Sequence, residues 1–399
     1  MISFYFAVES QKKTITMKIK LFAILLALFT GISSFAQNDY LEAKAEVNEK
    51  IYQGGDTYEV KIFPQKFKKK PKNVIFIISD GMGFSQIHAA LTANKGSLFL
   101  ENFKHMGFSK TSSSNNYITD SAAGGTALAT GQKTYNGAIA VDDNKQPIKT
   151  ILEDAEDKGL ATGLVSTSSI THATPASFIA HQESRNMYEE IAADFLNTDI
   201  DVFIGGGYKH FTERKDGRNL VNELKEKGYT VEQDIDKIKT IKNGKLAGLT
   251  AFEHNGLIES RKDMLPVATE TAINILSNNK KGFFLMVEAS QIDWGGHAGS
   301  TIRVVEEMLD FDQSVGRALE FAASNKETLV VVTADHETGG MIVLNGDYET
   351  GLVKGEFTTG GHTGMMVPLM AFGPGAENFT GIMENTDVHK QIKQLLIEK

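Results

Sequence analysis

A chain of 399 residues, 41% hydrophobic and 23% charged, has the make-up of a folded globular protein and excludes disordered and fibrous classes. Its 41 basic and 50 acidic side chains leave a net charge of −9, which argues against nucleic-acid-specific binding. An anionic substrate is not excluded, because metal cations can reverse the field inside one cleft.

The chain opens with a targeting pattern. Lys18 and Lys20 precede the apolar run Leu21–Phe29, and small residues follow up to Ser34 and Ala36. A charged lead, a short apolar segment and a small-residue cleavage site describe an export signal removed after Ala36. The signal fits a start at Met17 better than at Met1. The run is too short for a membrane span, and no later segment is long and apolar enough. The expectation is an exported protein, periplasmic or secreted, with residues 1–36 as extension plus signal and 37–399 as a single domain.

Residues 37–72 read as an arm ending in a basic stretch from Lys66 to Lys72. Val74–Ile78 then begins a series of short, unalternating apolar runs. Gly163–Ser166, Asp201–Ile204, Phe283–Val287, Leu329–Val332 and Val367–Phe372 continue it. Such runs suit strands buried on both faces. Amphipathic stretches with helical spacing lie between them, at 148–158, 187–197, 218–227, 265–279, 301–323 and 386–398. The alternation predicts an α/β layer fold around a mainly parallel sheet. Residues 206–262, rich in Lys, Asp and Gly, read as a peripheral insertion rather than a second core.

Three of the predicted strands run into carboxylates: Asp80, Glu288 and the pair Asp335-His336. Ligand sites of open α/β sheets form just beyond the carboxyl ends of strands. One such Asp is commonly a turn or helix cap, but three converging carboxylates repel one another unless cations neutralise them. Asp293 and His297, four positions apart, could share one face of a helical turn, and His362 stands in a glycine-rich loop. With no cysteine in the chain, metals must be held by imidazole, carboxylate and hydroxyl groups. Mixed oxygen and imidazole donors suit zinc, and all-oxygen sites suit magnesium. His88, His105, His210, His254 and His389 lack such neighbours and read as surface or packing histidines.

Ser121 begins the small-residue stretch Ser121-Ala-Ala-Gly-Gly-Thr126, where a tightly packed helix could start and offer free N–H groups to a phosphate. It reads equally well as a plain helix cap. Arg185 follows Thr174-Pro175 by some ten residues, on a helix predicted from Pro175. Its planar fork matches phosphate oxygens, and a surface ion pair is the alternative.

Together these segments resemble the alkaline phosphatase family over roughly residues 70 to 375. Asp80-Gly-Met-Gly, Asp120-Ser121-Ala, Thr174-Pro175 then Arg185, Glu288-x4-Asp293-x3-His297, Asp335-His336 and Gly361-His362-Thr363 stand in that family's order. The resemblance implies a three-layer sandwich and metal-dependent hydrolysis of phosphate monoesters at alkaline pH, through a phosphoserine on Ser121. It implies two zinc ions and one magnesium ion. Asp293, His297 and His362 would hold the first zinc; Asp80, Asp335, His336 and Ser121 the second; Asp80, Thr174 and Glu288 the magnesium. Arg185 would clamp the phosphoryl oxygens, inorganic phosphate would be the shared product, and a homodimer is the family expectation. Two positions depart from the best-known bacterial pattern. His172 stands where many bacterial members have Asp, and Trp294 where they have Lys, which puts the third metal and the tightness of phosphate binding in question. The alternative is a phosphodiesterase or another hydrolase of the same superfamily.

Overall fold

The computed structural model describes residues 49–398. The export signal and the start of the arm lie outside the described residues. Ten strands form one sheet: β1 Asn73–Ser79, β2 His105–Lys110, β3 Ala161–Ser169, β4 Val202–Gly206, β5 Tyr229–Glu232, β6 Lys245–Leu249, β7 Phe283–Ala289, β8 Thr328–Thr333, β9 Val367–Phe372 and β10 Gly381–Glu384. Their spatial order is β10-β2-β9-β8-β1-β7-β3-β4-β6-β5. Every neighbouring pair is parallel except the two that β9 makes with β2 and β8.

Strand β1 shows why the sheet sits in the middle. All seven of its residues are buried, and successive side chains enter different cores. Ile75 and Ile77 join one cluster with Leu285, Val287, Val330 and Val332, beneath the helices Met264–Leu276 and Thr301–Asn325. Val74, Phe76 and Ile78 join the other with Phe284, Met286, Leu329 and Val331, against the helices Ser121–Thr130, Ile151–Asp157 and Asn385–Leu396. Alternation on a strand with no polar face therefore yields helix, sheet and helix layers. Each fully buried large side chain is worth roughly 1.5–3 kcal/mol, so the layers hold the central strands firmly.

The strands that the apolar runs did not announce are those at the sheet's ends. In β2 every second residue is exposed, and β10 is a short edge strand. Residues 206–262 supply β5 and β6, which complete the opposite edge. The helix expected from Pro175 is one turn, Ala173–Ala176, and Arg185 lies in the loop beyond it. Phe178, Ile179 and Ala180 are all buried, and three consecutive buried residues cannot share one helical stripe. Gln182 instead exchanges backbone hydrogen bonds with Ile139, both at 3.0 Å. Among the described residues no helix is long and apolar enough to cross a membrane.

Candidate active site

Register brings the carboxylates together. Ile78 of β1 pairs with Glu288 of β7 on one side and Thr333 of β8 on the other. Asp80, Glu288 and Asp335 thus stand at the carboxyl ends of three adjacent strands, each fully buried. Their electrostatics follow from that crowding. Burial pushes Asp80 well above the carboxylate range, with the charges of Asp335, Asp293 and Glu288 adding to the effect. Burial, Asp293 and Glu288 raise Asp335 to about 8. Burial also lifts Glu288, opposed by the hydroxyls that donate to it.

Glu288 divides its two oxygens. Its Oε2 accepts from Ser166 at 2.5 Å, Ser290 at 2.7 Å and Ser168 at 3.4 Å. Its Oε1 accepts no hydrogen bond. The same is true of both oxygens of Asp80, Oδ2 of Asp293, Oδ2 of Asp335 and Oγ1 of Thr174, all buried. An unsatisfied buried polar group costs about 1–3 kcal/mol, and more when charged. This set of bare oxygens fits the binding of cations.

The imidazoles converge on the same place. On the helix Gln291–Ala298, His297 Nε2 lies 3.3 Å from Asp293 Oδ2, one turn back. His362 Nε2 is 3.2 Å from His297 Nε2 and 3.5 Å from Asp293 Oδ1. Both rings are oriented from behind. Nδ1 of His297 faces the carbonyl of Gly360 at 2.7 Å, and Nδ1 of His362 faces that of Thr119 at 2.9 Å. A carbonyl only accepts, so each Nδ1 carries the proton and each Nε2 presents a bare lone pair. Two lone pairs facing each other call for a positive charge between them. Burial pushes Asp293 upward, but in the metal-free protein the charges that His297, His362 and His336 carry when protonated outweigh it and hold the acid below the usual carboxylate range.

His336 is fully buried, and burial with its imidazole neighbours keeps it well below the ordinary histidine value. Its Nε2 lies 3.5 Å from Asp80 Oδ1, 3.4 Å from Asp335 Oδ2 and 3.2 Å from Ser121 Oγ. Among the described residues two donor sets are compact enough for one ion each: Asp293, His297 and His362, and Asp80, Asp293 and His336. Asp293 belongs to both, and Asp335 flanks the second. Thr338 links them, its hydroxyl donating to Asp293 Oδ1 and lying 3.2 Å from His336 Nδ1.

Ser121 is the first residue of its helix, not the cap. Asp120 is the cap, its Oδ1 accepting from Ala123 N at 2.9 Å and from Gly137 N at 3.1 Å. The helix reaches the strand ends because its next turn is glycine. A side chain on Gly124 would meet the Cβ of Asp335 at 3.0 Å, so the small-residue stretch sets the distance between Ser121 and the carboxylates. Asp120 Oδ2 also takes Arg185 NH1 at 3.1 Å, and Arg185 NH2 reaches His172 Nε2 at 3.2 Å. Burial, then the Arg185 charge, holds His172 well below its ordinary value, so the ring is neutral and accepts.

Sequence reasoning missed four contributors. Asp120 was visible beside Ser121 and needed only its cap geometry. Thr338 and the serine collar on Glu288 carry no motif, since hydroxyls are common on buried strand ends. His254 was read as an ordinary histidine, yet its ring stands edge-on to Trp294 at 5.0 Å and to His172 at 5.5 Å. It reaches the site from a distant loop, which no local pattern announces.

Known proteins share this sequence and fold. The family model described as Alkaline phosphatase matches residues 71–356. Alkaline phosphatase 3 of Bacillus subtilis is 36% identical, the match covering 94% of this chain and 97% of that protein. The alkaline phosphatase of Escherichia coli is 33% identical, over 82% of this chain and 86% of its own. The solved alkaline phosphatase of the Antarctic bacterium TAB5 is 43% identical with a TM-score of 0.77, covering 83% of this chain and 98% of that one. A histidine-to-aspartate mutant of the TAB5 enzyme, 42% identical over 83% of this chain and 99% of that one, also with a TM-score of 0.77, has magnesium bound in its M3 site. Buried carboxylates and imidazoles at the ends of a parallel sheet, around a serine at a helix start, thus join an extended likeness in sequence and fold: the chain belongs to the alkaline phosphatase family and is a metal-dependent hydrolase of phosphate monoesters.

Proposed function

We propose that Ser121 is the nucleophile of this hydrolysis and Arg185 the phosphate clamp. The carrying observation is the place of Ser121 Oγ: on the first residue of a helix, 3.2 Å from His336 Nε2 and beside the Asp120–Arg185 pair. The Ser121 oxygen attacks phosphorus as its proton passes to water, the bond to the leaving oxygen breaks, and the alcohol departs with a proton taken from water. A water oxygen then attacks the phosphoserine, the bond to Ser121 breaks, the serine oxygen takes back a proton given up by that water, and inorganic phosphate leaves. Arg185, turned by Asp120 and His172, presents its fork to two non-bridging oxygens.

Three metal sites complete this reading: zinc at Asp293, His297 and His362; zinc at Asp80, Asp335, His336 and Ser121; magnesium at Asp80, Thr174 and Glu288. Bound there, the ions would supply the positive charge that lowers the serine pKa and stabilises the leaving oxygen. The bare oxygens of Asp80, Thr174 and Glu288 support the all-oxygen third site. The test is steady-state hydrolysis of an aryl phosphate beside a bis-aryl phosphate, with bound metal measured. A monoester preference of at least about 100-fold is expected, roughly 3 kcal/mol of discrimination. A diester preference would overturn the assignment.

Trp294 stands where a lysine would add a cation near the bound phosphate. Trp294→Lys is expected to lower the inhibition constant for inorganic phosphate about tenfold, the effect of one added charge-assisted contact. Competition assays check it, and an unchanged constant speaks against loose phosphate binding through Trp294. Export rests on the pattern at Lys18–Ala36. A homodimer is supported by an exposed apolar patch of Phe84, Met106, Phe108 and Ile382 at the β2–β10 edge, where Phe84 and Phe108 are in ring contact at 5.4 Å.

A further inference from the structure

We propose that His254 is a positioning residue for the phosphate clamp, fixing the rings of Trp294 and His172 so that His172 aligns Arg185. The inference rests on the reading of Arg185 given above. Three rings meet nearly at right angles. His254 to Trp294 is 5.0 Å at 80°, His254 to His172 is 5.5 Å at 90°, and His172 to Trp294 is 6.2 Å at 88°. Edge-to-face contacts of this kind are directional.

His172 needs such support. Its Nε2 accepts from Arg185, but its Nδ1 is buried with no hydrogen-bond partner. Among the described residues no hydrogen bond at Nδ1 sets the rotation of the ring, which leaves that to ring packing. His254 is itself fixed. Its Nδ1 accepts from the backbone N–H of Ser169 at 3.0 Å, three residues before His172.

The loop that delivers His254 is unusually well tied for a surface connection. Asn255 Oδ1 accepts from Thr250 at 2.7 Å, and its carbonyl accepts from Gln291 Nε2 at 2.9 Å, two residues before Asp293. Farther along, Arg261 forms a buried fork with Glu307 at 2.6 and 2.7 Å and with Asp310 at 2.7 Å. Breaking such a buried ion group would leave an uncompensated charge, so it holds this end of the loop in place. Anchored on both sides, the loop holds His254 as a fixed wall, as pre-organisation of a site requires.

Trp294 is the chain's single tryptophan, so its emission reports this corner directly. The experiment uses metal-loaded enzyme and inorganic phosphate as the probe, with His254→Ala, His254→Phe, His254→Asn and Arg185→Ala beside the wild type. In His254→Ala the phosphate inhibition constant and the KM for an aryl phosphate are expected to rise about three- to tenfold, with kcat not lowered and metal content unchanged. That size fits one charge-assisted hydrogen bond weakened rather than lost. Tryptophan emission should shift to the red and respond less to phosphate. His254→Phe, which keeps the ring, should stay near wild type; His254→Asn, which keeps only an acceptor for Ser169, should behave like alanine. Wild-type phosphate inhibition and emission in His254→Ala, or rescue by Asn and not by Phe, overturns the proposal. Arg185→Ala separates the two ideas. A raised constant there with an unchanged one in His254→Ala removes the role of His254 alone, whereas an unchanged constant in Arg185→Ala removes the clamp and this proposal with it.

Discussion

Replacing Ser121 by alanine is expected to lower kcat/KM for an aryl phosphate by about 10⁴-fold, the scale on which loss of a nucleophile acts when the rest of a site survives. The fold should be indifferent to the change. Asp120, not Ser121, caps the helix, so no cap is lost, and alanine is the best helix former for a first-turn position. Metal content should fall little, because Asp80, Asp335 and His336 remain. The companion measurement is trapping of labelled phosphate on the protein at acid pH, present in the wild type and absent in Ser121→Ala. Label that persists in the variant would place the covalent step on another residue. Activity that persists would favour direct attack by water.

Stripping the metals with a chelator is expected to abolish activity and lower Tm by about 10 °C. Two sites saturated a thousandfold above their dissociation constants would contribute about 8 kcal/mol, spread over the unfolding entropy of a chain of this size. The loss should depend on pH with a definite sign. Asp335, at about 8, keeps a proton in the stripped fold that the unfolded chain releases above about pH 4, and Asp80, pushed well above the carboxylate range, acts in the same direction. A raised acid makes the folded state lose stability as pH rises through the interval between the two values. The stripped protein should therefore weaken from pH 5 to 8 and level off beyond, while bound metals keep the carboxylates ionised and cancel the dependence. Thermal denaturation of loaded and stripped enzyme across that range checks it. A gap that stays constant or narrows toward pH 8 would mean that these acids do not face the metals.

The sequence made the centre of the molecule legible and its margins obscure, for one reason. Strands such as β1 and β8 are covered by helices on both sides and must be apolar at every position, so they stand out in any reading. Strands β2, β5 and β10 lie toward the ends of the sheet, meet water on one face, and have mixed compositions that local pattern cannot separate from loops. The site divides in the same way. Asp80, Glu288 and Asp335 were legible because a carboxylate at the end of a wholly apolar strand is an electrostatic anomaly. The loop carrying Arg185 was taken for a helix because Pro175 is a favoured helix-start residue, whereas the helix it sits in ends one residue later, at Ala176. His254 was passed over because its partner Trp294 lies forty residues away and only packing joins them.

The register of β1 has a consequence for how the enzyme comes into being. Val74 pairs with Phe284 on one side and Leu329 on the other, each more than 200 residues further along the chain. The central strand is among the first segments synthesised and can find its neighbours only when most of the polypeptide exists. Contacts this remote in sequence make for slow assembly and leave a long-lived unfolded form. A nascent chain would therefore carry Asp80 and Ser121 for most of its synthesis without a site, and hydrolytic power would arrive late and all at once. Under the export proposed above, that delay would be an advantage: the chain would stay threadable until it had crossed the membrane, and no phosphatase would act on the cell's own esters on the way out.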